Sequence, residues 1–107
     1  GSRFEQSPGT NPEELIAAAH ASCFSMALAN ILAEAGNPAE TVRTAAAVHL
    51  EKMADGFAIT RIDLRTEAAV PDIENDAFQE YAEQARATCP VSTALAGCEI
   101  SLDARLL

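Results

Sequence analysis

Three cysteines, Cys23, Cys89 and Cys98, and two histidines, His20 and His49, are the residues here best able to do chemistry. A cysteine attacks only as its thiolate, and an unperturbed thiol with a pKa of about 8.5 is only about 3% ionised at neutral pH. Bringing that value to about 6 takes roughly 3.4 kcal/mol in favour of the charged form, which one arginine in hydrogen-bond reach can supply. Cys89 precedes Pro90 at a predicted helix start, where backbone dipoles favour a thiolate. Cys23 falls mid-helix and gains nothing from a helix end. On electrostatics alone Cys89 is therefore the better activated. The bland reading is that both are inert core thiols, because free cysteine is among the most buried residue types.

A zinc site is not expected. His20 and Cys23 share a helix face at i, i+3, but no Cys-x-x-Cys pair accompanies them. His20 reads as a polar residue near the helix surface, and Cys98, opening a strand, as structural. Glu13 and Glu14 are accounted for as first-turn carboxylates that favour the helix dipole. Arg3 would be ignored as a single arginine near a terminus.

These residues must be positioned by the elements around them. Residues 11–35 predict one long helix: Asn11 is its N-cap, Pro12 takes the first helical position, Glu14 completes a capping box, and Gly36 followed by Pro38 stops it. The helix is apolar nearly all round, which marks an interior helix. A strand is expected near 46–52, a hairpin turn at Ala54-Asp55-Gly56, and a strand over 57–70 whose apolar phase changes near Thr60–Ile62, as at a bulge or in a strand covered on both faces. A helix over 77–88 and a short helix opening at Pro90 follow, then a strand over 98–107. The order helix, hairpin, helix, strand gives an α+β class with an antiparallel sheet. Three strands are few to cover such a helix, so either a second copy of the chain or further strands before Arg3 must complete the core. We expect an obligate dimer.

The chain has 107 residues, read as a single domain over 1–107, and a net charge of −9. That charge repels phosphate backbones and anionic membranes, so nucleic acid and membrane are not expected partners. The apolar helix is not read as a membrane span, because Glu13, Glu14 and His20 crowd one end and alanine rather than leucine dominates it. No signal peptide is seen. Three widely spaced cysteines do not form a secreted disulfide framework, and a cytoplasmic location is expected.

Three blocks, Arg3-Phe4-Glu5, the run from Gly9 through His20-Ala-Ser-Cys23-Phe-Ser-Met-Ala-Leu28, and Cys89-Pro-Val-Ser92, closely resemble the OsmC/Ohr family of small thiol-dependent peroxidases, and its OsmC branch in particular. Two separate cysteine motifs match the family's order and spacing, and the resemblance covers nearly the whole chain. It implies an OsmC/Ohr-like fold, with an antiparallel sheet wrapped around a long buried central helix, in an intertwined homodimer with active sites at the subunit interface. It implies Cys23 as the peroxidatic cysteine, Cys89 as the resolving one, Arg3 as the holder of the thiolate and Glu13 as the carboxylate that positions Arg3. The arginine then overrides the electrostatic ranking of Cys89 above Cys23. Cys98 and His49 match no catalytic position. Family members carry strands before the Arg-Phe-Glu block, so an N-terminally shortened form is expected.

The implied reaction reduces an organic hydroperoxide to an alcohol. Cys23 becomes a sulfenic acid, Cys89 condenses with it to a disulfide, and an external dithiol, of lipoyl type by the resemblance, reduces that disulfide. No organic cofactor or metal is required. The apolar setting of Cys23, near Phe24 and Met26, favours alkyl or fatty-acid hydroperoxides over hydrogen peroxide. Glu13 and Cys23 are ten residues apart, about 15 Å on a straight helix. Either the helix breaks, Arg3 bridges the gap, or the pairing crosses the dimer interface. The alternatives in other classes are a non-catalytic dimeric binding module with inert cysteines and a general thiol–disulfide oxidoreductase.

Overall fold

A computed structural model describes residues 11–107, so Arg3 and the Arg-Phe-Glu block lie outside the described residues. The first helix, α1 (Pro12–Glu34), begins where the sequence places it. The Asn11 side chain accepts from the Glu14 backbone N–H at 2.9 Å, and the Asn11 amide donates to the Glu14 carboxylate at 3.4 Å. Its end is a Schellman turn: the Gly36 N–H donates to the Ala33 carbonyl and the Asn37 N–H to the Leu32 carbonyl. Gly36 sits at φ +85°, which is why a glycine stands there.

Strands β1 (Thr41–Met53) and β2 (Gly56–Ala69) form an antiparallel hairpin. Its register shifts once: Arg61 faces His49 and Ile59 faces Leu50, so Thr60 is the extra residue of a bulge. The bulge explains the expected change of apolar phase, because beyond it Ile62, Leu64, Thr66 and Ala68 all turn inward. Helices α2 (Asn75–Thr88) and α3 (Pro90–Ala94) lead to β3 (Glu99–Leu106). The antiparallel expectation holds for the hairpin, but β3 lies beside β2 in parallel, giving the order β1-β2-β3. A helical crossover reverses the chain between β2 and β3, and such a connection delivers the next strand in parallel.

The core lies between the sheet's inner face, α2 and one stripe of α1. Phe24, Leu28 and Leu32, four residues apart, meet Leu64, Ala68, Phe78, Ala82 and Ala85. Polar groups between helix and sheet are paired: the Ser25 and Thr44 hydroxyls lie 2.6 Å apart, and the Thr66 hydroxyl donates to the Arg43 carbonyl. The opposite side of α1 is uncovered in the single chain, as the sequence anticipates for a monomer. Leu15 is 62% and Met26 71% exposed. By length and composition α1 could cross a bilayer, yet its buried stripe is part of this core.

Candidate active site

Cys23 projects from the middle of α1, half-buried, next to the fully buried Phe24. Cys89 is the hinge between α2 and α3, closing one helix and capping the next. Pro90 forces this arrangement. The residue before a proline is pushed out of helical conformation, and Cys89 adopts φ −59°, ψ 121°. Its side chain is wholly buried and meets α1, where its thiol interacts with that of Cys23.

Two further side chains complete the cluster. His20 stands one turn before Cys23 and Ser92 one turn after Cys89. His20 Nε2 and Ser92 Oγ are 2.7 Å apart, and both residues are buried. The backbone N–H and hydroxyl of Ser92 in turn lower the neighbouring Cys89 thiol. The cluster therefore runs His20, Ser92, Cys89, Cys23. The expectation of His20 near the helix surface is corrected: it falls on the same i, i+4 stripe as Phe24, Leu28 and Leu32, the stripe that faces the core. Ser92 was not anticipated. The available signal was the repeated i, i+3 spacing of each polar residue from its cysteine.

The electrostatics of the two thiols differ. Burial pushes Cys89 up, but hydrogen bonds from the Cys23 thiol, the Ser92 N–H and hydroxyl and the Val91 N–H outweigh it and hold Cys89 below the ordinary cysteine value. Burial raises Cys23, and donation to Cys89 raises it further, against one opposing contact with the Val91 backbone. Cys89 is therefore the more acidic of the two thiols, in the order helix-end electrostatics predicts. Burial alone holds His20 below the usual histidine range.

The remaining candidates lie apart. Glu13 is in the first turn of α1, and α1 runs unbroken past Cys23, so the broken-helix explanation of their separation is removed. At ten residues, about 15 Å along the axis, its carboxylate is too far to touch the thiol of its own chain. Cys98 Sγ donates to the Leu95 carbonyl at 3.0 Å and closes the turn between α3 and β3. His49 belongs to a half-exposed network on the outer sheet face, where Asp63 Oδ2 lies 2.7 Å from His49 Nε2 and Asp63 Oδ1 lies 3.1 Å from Arg61 Nε. The cleft of about 410 Å³ beside that network touches neither reactive thiol. Among the described residues, no group of three or more His, Cys, Asp or Glu side chains could hold a metal ion.

Two neighbouring thiols, one more acidic than the other, have the chemistry to alternate between dithiol and disulfide. Comparison with known proteins gives the family. Residues 4–103 match the family model described as OsmC-like protein. The chain is 53% identical over 104 residues to the peroxiredoxin OsmC of Escherichia coli K12, covering 97% of this chain and 72% of that one. It is 35% identical over 91 residues to the organic hydroperoxide resistance protein of Xanthomonas axonopodis pv. citri, covering 83% of this chain and 61% of that one. Among solved structures, OhrB of Bacillus subtilis, an organic hydroperoxide resistance protein, superposes with a TM-score of 0.75 at 29% identity, over 92% of this chain and 73% of that one. An OsmC-like protein of Vibrio cholerae gives 0.80 at 20% identity, over 90% of this chain and 64% of that one, a likeness of fold.

Proposed function

The chain belongs to the OsmC-like protein family, and from that premise we propose that it reduces organic hydroperoxides to alcohols, with Cys23 as the attacking thiol and Cys89 as the resolving one. Relatives named peroxiredoxin and organic hydroperoxide resistance protein support a cysteine-based peroxidase. The observation that carries the cysteine assignment is that the Cys23 and Cys89 thiols, from two different helices, are near enough to shift one another.

The Cys23 thiolate attacks one peroxide oxygen, an S–O bond forms as the O–O bond breaks, and the departing alkoxide takes a proton to become the alcohol. Cys23 is then a sulfenic acid. The Cys89 thiolate attacks that sulfur, hydroxide leaves and is protonated to water, and the Cys23–Cys89 disulfide remains. A dithiol, of lipoyl type in this reading, returns both cysteines to thiols and is itself oxidised. For the first step the proton must leave Cys23, which its own surroundings do not favour. Arg3, with Glu13 orienting it, is the cation we assign to that task and to stabilising the leaving oxygen.

The functional unit in this reading is a homodimer. Leu15, Ala19, Ser22, Met26, Ala29 and Ala33 form one continuous exposed stripe on α1, opposite the core stripe. Its three alanines allow close backbone approach by a second copy. A dimer would also let Glu13 of one subunit serve Arg3 and Cys23 of the other, which the separation along α1 favours. We read the protein as soluble and cytoplasmic, in keeping with a cycle that ends in a reducing dithiol.

Peroxide consumption tests the reading, with dihydrolipoamide as reductant and cumene hydroperoxide compared with hydrogen peroxide. The expected result is turnover that prefers the organic substrate. No consumption of either would leave the inert-cysteine binding module as the better account.

A further inference from the structure

The mechanism above leaves two buried polar groups unused, His20 and Ser92. A polar side chain in a core is stabilising only when its hydrogen-bonding groups are satisfied. His20 is wholly buried, yet among the described residues only Nε2 has a partner, the Ser92 hydroxyl at 2.7 Å; Nδ1 is buried with none. An orphaned buried N–H is rarer than an orphaned acceptor, so the proton of the neutral ring belongs on Nε2 and the bare nitrogen is Nδ1. Nε2–H then donates to Ser92 Oγ. The serine has one proton of its own, and with its oxygen already accepting from histidine that proton is free to point at Cys89, to which the Ser92 side chain is bonded. Each donation strengthens the next in a low-dielectric setting.

We propose that His20 is a positioning residue which, through Ser92, sets the Cys89 sulfur for closing the disulfide with Cys23. The assignment rests on the reading of Cys89 as the resolving thiol. It gives the two steps separate supports: Arg3 serves the attacking sulfur, and the His20–Ser92 pair serves the resolving one. The histidine remains neutral throughout, so no proton is transferred to it. Cys89 attacks the Cys23 sulfenic acid as its thiolate, an S–S bond forms as the S–O bond breaks, and the proton Cys89 gave up to solvent is balanced by the one the displaced hydroxide takes up as water. Among the described residues, Cys23 from α1 and Val91 and Ser92 from α3 act on Cys89, and His20 reaches it only through Ser92. Arg86, one turn back on α2, is paired with Glu83 at 2.6 Å and leaves the task to the neutral relay.

The test is a pH titration of the Cys89 thiolate by its ultraviolet absorbance, which needs no access to the buried sulfur, in a Cys23→Ser, Cys98→Ser background. His20→Leu and Ser92→Ala should each move the midpoint upward by about one pH unit, and the double variant no further than either alone. His20→Gln, whose side-chain amide N–H can reach the same hydroxyl, should restore most of the shift. In the chain with all three cysteines, the same substitutions should slow disulfide closure after peroxide about tenfold. An unmoved midpoint in folded Ser92→Ala overturns the proposal, and that variant decides the matter should His20→Leu not fold. The titration uses no peroxide, so failure of the peroxidase reading would show separately, as absent closure in the unsubstituted chain.

Discussion

Cys23 and Cys89 interact through their thiols, and the interaction raises the cysteine assigned to attack while it lowers the one assigned to resolve. That direction makes Arg3 indispensable to the proposed cycle. Arg3→Ala should raise the midpoint for Cys23 thiolate formation and slow peroxide attack at neutral pH by at least about tenfold, with part of the rate recovered as pH rises. Stopped-flow peroxide consumption across pH measures both effects. A rate indifferent to Arg3 would require another cation at Cys23.

Cys89→Ser separates attack from resolution. The first turnover should release about one equivalent of alcohol per Cys23 and then stop, with the sulfenic acid trapped and detectable as a dimedone adduct at Cys23. A variant that closes a Cys23–Cys98 disulfide at a wild-type rate would instead make Cys98 the resolving residue. The Leu95 carbonyl now holds that thiol in the turn after α3.

The two sides of α1 should respond differently to substitution. Leu28 is fully buried in the core stripe, and Leu28→Ala should destabilise the fold by about 2–5 kcal/mol in denaturant titration. Met26 is 71% exposed in the single chain, and Met26→Glu should leave secondary structure intact while shifting the protein from dimer to monomer in sedimentation velocity. A Met26→Glu protein that stays dimeric would move the interface off this stripe.

His20 also predicts a pH dependence of stability. Burial depresses its folded pKa, so below about 6.5 the unfolded chain takes up a proton that the folded chain refuses. Stability should therefore be flat above that pH and fall as pH drops through it, and His20→Gln should remove that part of the slope. A later loss, below about pH 4, belongs to Asp63 and Glu83, whose carboxylates are held low by the Ser101 hydroxyl and by Arg86 respectively.

Much of this was legible in the sequence because the signals are local. Asn11, Pro12 and Glu14 mark one end of α1 and Gly36 the other, each through a bond to its near neighbours. The phase change in β2 gave the bulge at Thr60, and Pro90 gave the helix start that Cys89 caps. The parallel placement of β3 was not legible, because strand pairing is settled by how α2 and α3 pack across the sheet. The partnership of His20 with Ser92 was hidden for the same reason. The two residues lie far apart in sequence and meet only when α3 docks on α1. A histidine within an alanine-rich helix shows its burial only once the core-facing stripe is known.

The central claim is that Cys23 and Cys89 form one redox pair. The most direct measurement treats the reduced protein with one equivalent of cumene hydroperoxide and maps its disulfides by peptide mass spectrometry. A rapidly formed Cys23–Cys89 bond, with Cys98 left as a free thiol, is the predicted result. Unchanged thiols, or oxidation spread over all three cysteines, would contradict it.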